Sequence, residues 1–140
     1  LSTYPLYWLG TSPTVRKEEP IPLILYDQPC LFRTAALRAL DSHRISWRPA
    51  LTTSSLQGVW AALSCGYGIT VRTGRRLPAN VRDVGREFSL PALPDIEARL
   101  ITGDTLSTAA RELMQIICHA IVETQDDISR KAHKRVAARV

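Results

Sequence analysis

Continuous apolar runs and apolar stripes of helical period follow one another along this chain, and their order predicts its elements. Tyr4 to Leu9 is rich in aromatic residues and is ended by Gly10, which reads as a strand. Thr11 to Pro20 is a polar loop with the charge run Arg16 to Glu19. Ile21 to Tyr26 is a continuous apolar run, the pattern of a strand covered on both faces of a parallel sheet. Asp27-Gln28-Pro29 supplies a cap and an early proline, so a helix is expected from near Cys30 to the stretch Asp41 to His43. Phe32, Ala36, Ala39 and Leu40 form its apolar face.

Ser46 to Thr52 is expected to be a short strand, after which Thr53-Ser54 offers capping hydroxyls to a second helix. Leu56, Val59, Trp60 and Leu63 fall at i, i+3, i+4 and i+7, and Gly66 is placed to end that helix. Ile69-Thr70-Val71 predicts a further strand, Gly74 to Gly85 an irregular basic loop, and Ile96 to Ile101 another strand. Asp104 or Thr105 is placed to cap a last helix, apolar at Leu106, Ala109, Ala110, Leu113, Met114, Ile116, Ile117, Ala120 and Ile121. Strands alternating with helices in this way predict an α/β fold with a largely parallel sheet flanked by helices.

Composition narrows the function classes. The 140 residues are enough for one domain with a core, and no apolar run approaches the length of about 18–20 residues that spans a bilayer. The net charge of +5 is uneven: residues 126–140 carry five basic and two acidic side chains, leaving the other 125 residues nearly neutral. A nearly neutral body is not the footprint of a nucleic-acid binder. Cys30, Cys65 and Cys118 have no metal spacing and leave an odd count, so reduced, mostly buried thiols in a cytoplasmic protein are expected, with no disulfide framework and no zinc site.

No catalytic constellation stands out, and an enzyme is not expected. His43, His119 and His133 lie in a helix-end turn, a late helix turn and the tail, and no nucleophile elbow or phosphate-cradling loop is present. Gly66-Tyr67-Gly68 follows a helix and reads as a helix stop. What remains is polar groups at two strand-to-helix junctions, Asp27 to Arg33 and Thr52 to Ser55. Ligands in open α/β sheets bind beyond the carboxyl ends of strands, where helix N-termini present free N–H groups.

The order of these motifs resembles the C-terminal effector-binding domain of LysR-type transcriptional regulators. The similarity is carried by Pro22-Leu23-Ile24-Leu25-Tyr26 with Gln28 to Arg33, then Trp47-Arg48, Thr53-Ser54-Ser55-Leu56, Ala61 to Val71, Leu77-Pro78, Leu90 to Ile96 and the helix Ala109 to Ile121. It covers residues 4–122, and the opening Pro5-Leu6-Tyr7-Trp8 resembles the strand that crosses into the second subdomain. Arg72-Thr73 departs from the family pattern, which often closes that strand with Leu-Pro or Arg-Pro, and Tyr67 replaces a commoner small or aliphatic residue.

The resemblance implies a fold like that of type 2 periplasmic binding proteins, with an effector held between two subdomains. Residues 1–103 would belong to the second subdomain, 104–124 to a helix returning to the first, and 125–140 to a basic tail with Arg130, Lys131, Lys134 and Arg135. Effector-binding residues are expected at Gln28, Pro29, Cys30, Leu31, Phe32, Arg33, Thr53 and Ser54. Phe32 as plain core and Arg33 as a surface charge stay open as alternatives. Expected partners are a small-molecule effector and further copies of the chain (dimer or tetramer), with DNA bound only through a winged helix-turn-helix outside this sequence. No cofactor, metal or membrane partner is expected. A solute-binding protein fragment and, further off, a small α/β enzyme are the competing readings.

Overall fold

A computed structural model of the chain describes residues 2–11 and 20–121. Most of the Thr11 to Pro20 loop and the whole basic tail lie outside these residues. The described part divides into two compact units, Tyr4–Ile96 and a second that joins the N-terminal residues to Glu97 onward.

In the larger unit the apolar runs become strands. Pro5 has no amide hydrogen to give, and the expected strand from Tyr4 to Leu9 is two: β1 (Ser2–Tyr4) and β2 (Leu6–Gly10). β3 (Ile21–Tyr26) is buried at every position but its last, as its unbroken apolar run requires. It runs parallel to β4 (Trp47–Thr53), pairing Ile21 with Trp47 and Tyr26 with Thr53. The register slips between Leu23 and Ile24, opposite Pro49, which lacks an N–H for the ladder.

On its other side β3 meets Ile69: the Ile24 amide donates to the Ile69 carbonyl at 2.9 Å and the Ile69 amide to the Pro22 carbonyl at 2.8 Å. That bridge is also parallel. It leads into β5 (Thr70–Thr73), which pairs antiparallel with β2, whose far edge takes up the short β6 (Arg82–Asp83). The sheet thus has a parallel half around β3 and an antiparallel half around β2.

Helices cover both faces. α1 (Leu31–Ser42) and α2 (Leu56–Ser64) follow β3 and β4. Because side chains alternate along a strand, Leu23 and Leu25 join Ala36 and Leu40 of α1 in one core, with Leu6, Trp8, Ile69, Val71 and Val84. Ile24 points the other way, to Val59, Ala62 and Leu63 of α2, with Leu9 and Val81. Leu23, Ile24, Leu40 and Leu63 are fully buried, and each contributes about 1.5–3 kcal/mol of transfer free energy. The Trp8 indole donates to the Pro91 carbonyl at 2.7 Å, which pins the Leu90 to Pro94 turn to this core. Within the stripe predicted for α2, Leu56, the first residue of the helix, stays exposed.

The helix ends are cut by local chemistry. Ser55, not Thr53 or Ser54, caps α2: its hydroxyl accepts from the Gly58 amide at 3.2 Å. Gly66 takes φ 72°, and the amides of Gly66 and Tyr67 return to the carbonyls of Leu63 and Ala62. Gly68 is held to glycine by space: a Cβ there would lie 2.4 Å from the Pro22 carbonyl oxygen.

In the smaller unit, β7 (Ile96–Ala98) pairs with β1 and is shorter than the expected Ile96 to Ile101. A helix, α3, occupies 108–121. Its cap is Ser107, whose hydroxyl accepts from the Ala110 amide at 3.2 Å, in place of Asp104 or Thr105. Leu106, Ala110, Met114, Ile117 and Ile121 are half-buried along one side, while Leu113 and Ile116 are exposed. The thiols correct another expectation. Cys65 at the end of α2 and Cys118 on the outer side of α3 are exposed and only Cys30 is half-buried, because two of the three sit where the backbone turns to solvent or on a solvent-facing helix side.

Candidate functional site at the carboxyl ends of two parallel strands

The pairing of β3 with β4 sets Tyr26 beside Thr53, and the ladder continues one step further: the Asp27 amide donates to the Thr53 carbonyl at 3.1 Å. The two junctions singled out in the sequence are therefore neighbours at one end of the sheet. α1 starts at Leu31 with Cys30 as its N-cap, and no side chain caps it. Its first-turn amides have no acceptor within the helix. Among the expected residues, Gln28, Pro29, Leu31 and Ser54 are exposed, Cys30, Phe32, Arg33 and Thr53 half-buried. The Gln28–Pro29 bond is cis. The Thr53 hydroxyl accepts from the Ser55 amide at 3.1 Å, which shapes the entry to α2. Phe32 packs on the edge of the α1 core, and Arg33 donates to the Tyr26 carbonyl at 3.3 Å.

The structure adds two residues that the sequence did not mark as binding groups, Tyr26 and Arg72. The Arg72 guanidinium lies over the Phe32 ring at 4.8 Å and over the Tyr26 ring at 5.2 Å. Each such contact is worth about 1 kcal/mol at a partly exposed site. Burial pushes Arg72 below the ordinary arginine value, while Cys30 and Tyr26 oppose that shift. It stays protonated at any physiological pH. Nε of Arg72 and Nε of Arg33 are both buried with no hydrogen-bond partner. Both arginines line a narrow crevice with Tyr26, Cys30 and Phe32, whose cavity of about 10 Å³ is the size of one water. No acidic residue lines it. The only hint of this arrangement in the sequence is a charged residue closing an apolar strand.

His43 Nδ1 is engaged with the Ala39 carbonyl at 2.9 Å, at the end of α1 away from this site. No group of three His, Cys, Asp or Glu among the described residues is placed to hold a metal ion, and no helix among them is long and apolar enough to cross a membrane.

No family model matches the chain. It is 36% identical over 96 residues to the HTH-type transcriptional regulator PecT of Dickeya dadantii, covering 62% of this chain and 30% of that protein. It is 35% identical over 78 residues to the HTH-type regulator DgdR of Burkholderia cepacia, covering 56% and 26%. The chain thus spans about a third or less of these relatives. Among solved structures it is similar to full-length HypT of Salmonella typhimurium, a hypochlorite-specific LysR-type transcriptional regulator, with TM-score 0.56 and 16% identity over 84% of this chain and 43% of that one. Its fold is that of a LysR-type regulatory domain. The same fold is matched, at TM-score 0.56 and 16% identity over 84% of this chain and 63% of the other, by the regulatory domain of CcmR from Synechocystis, solved in complex with 2-PG. The bromide-bound regulatory domain of HypT matches at TM-score 0.56 and 17% identity, over 84% of this chain and 61% of that one. The likeness to these regulatory domains is one of fold, which the motif order implied.

Proposed function

We propose that the chain is the effector-sensing part of a LysR-type transcriptional regulator, with one wall of the effector cleft formed by Gln28, Pro29, Cys30, Leu31, Phe32, Arg33, Thr53 and Ser54. The observation that carries this reading is the pairing of Tyr26 with Thr53 and of Asp27 with Thr53, which puts both junctions at the carboxyl ends of adjacent parallel strands. Open α/β sheets bind ligands there. Relatives named as HTH-type regulators, and regulatory domains of this fold solved with 2-PG and with bromide, support the same reading.

In this reading residues 1–103 belong to the second subdomain, 104–124 return to the first, and the opposite wall of the cleft comes from sequence outside this chain. The regulator is a cytoplasmic sensor without catalytic turnover, self-associates, and binds DNA through an N-terminal winged helix-turn-helix. The test belongs in the full-length regulator. Phe32→Ala and Thr53→Ala should each weaken the effector response at least about tenfold while leaving operator affinity unchanged. A wild-type response in both variants places the effector site elsewhere.

A further inference from the structure

Two cations share one crevice here, and among the described residues no acidic side chain lines it. Arg72 and Arg33 each bury Nε without a partner, and among the described residues the ion pairs are Arg82 with Glu87 and Arg99 with Glu97, neither of which involves them. Structural arginines at such depth are ordinarily paired with a carboxylate, because a half-buried charge loses hydration that something must replace. Arg72 instead lies over two aromatic rings, 4.8 Å from the Phe32 centroid and 5.2 Å from the Tyr26 centroid. A planar guanidinium matches a carboxylate in two parallel hydrogen bonds. The Phe32 and Tyr26 rings beside it give the rest of a ligand an apolar surface.

We propose that Arg72 is the specificity-determining residue of the effector site and selects a small organic acid, whose carboxylate meets Arg72 at the mouth of the crevice and whose apolar body lies along Phe32. This rests on the effector-cleft reading above and names the class of ligand for it. The crevice holds only about one water, so the acid group and not the body of the ligand reaches inward. Arg33, tied to the Tyr26 carbonyl, adds positive potential behind it. Cys30 at the start of α1 lines the same crevice, and the uncapped first-turn amides there favour a negative group as well.

The full-length regulator is titrated with phenylacetate and with its neutral counterpart phenylacetamide, and the Arg72 side-chain Nε–H resonance is followed by NMR. Phenylacetate should shift that resonance saturably and phenylacetamide should not. Arg72→Met should abolish phenylacetate binding, and Arg72→Lys should weaken it about tenfold, since an ammonium keeps the charge but loses the planar fork. Equal affinity for acid and amide, or an Arg72 signal that stays still with phenylacetate, overturns the proposal without needing any variant to fold. The two readings fail separately. An amide that perturbs Thr53 and Phe32 while Arg72 stays silent leaves the cleft and removes the acid preference. An acid-selective Arg72 in a chain whose Phe32→Ala and Thr53→Ala regulators respond normally does the reverse.

Discussion

Gly68 has little freedom in the fold. Its backbone passes so close to Pro22 that a methyl group would strike the carbonyl oxygen that accepts the Ile69 amide. The obstacle is backbone already committed to the sheet, so no rotamer change relieves it. Gly68→Ala should cost about 3 kcal/mol, at the upper end of single-site effects, and urea unfolding of the purified chain measures it. A loss below about 0.5 kcal/mol shows that the bridge between β3 and Ile69 yields easily. At this scale the sequence was legible where the cause is local. Gly66 ends α2 because a left-handed residue is needed there, and the sequence puts a glycine at that place. The Arg72 cluster was not legible. It joins residues 40 and 46 positions apart, and nothing in the local pattern of an arginine after Val71 says which rings it will meet.

Among the elements, β3, α1 and α2 were readable because burial on both faces or on one stripe writes itself into the apolar period. β1 and β6 were not, and β7 was expected too long, since three residues or fewer carry no period and owe their pairing to partners far along the chain. Caps were misplaced for a related reason. Thr53, Ser54 and Ser55 are three successive hydroxyl residues, and the choice among them depends on where the ladder with β3 stops. That ladder runs through Thr53, which leaves Ser55 to cap. Ser55→Ala should therefore destabilise the domain by about 1 kcal/mol, while Ser54→Ala, exposed and outside the helix, should be neutral. Thermal unfolding of the two variants side by side distinguishes them, and equal losses would mean that the cap is shared.

At the scale of the whole molecule, charge and apolar surface act apart. The basic residues of the tail should attract polyanions weakly, while the remainder of the chain is nearly neutral. The chain alone should show no sequence preference for duplex DNA, and whatever association appears at low salt should vanish by about 0.2 M salt. A selective nanomolar gel shift at physiological salt contradicts this. Leu113, Ile116 and Ile101 leave apolar surface open in the smaller unit. Sedimentation should find the chain associating with itself as concentration rises, and Leu113→Ser with Ile116→Ser should shift it towards monomer. The sequence foretold that surface as a wide apolar helix, but not which residues would be left outside, because that depends on what the helix packs against.

The hydrogen bond from the Asp27 amide to the Thr53 carbonyl joins two loops that lie 26 residues apart in the chain. Mechanically it makes them one lip. A push on the start of α1 has a direct backbone route to the start of α2, one that does not pass through either core. Amide exchange at Asp27 and at Ser55 should then slow together when a ligand seats, even one that touches only one of the loops.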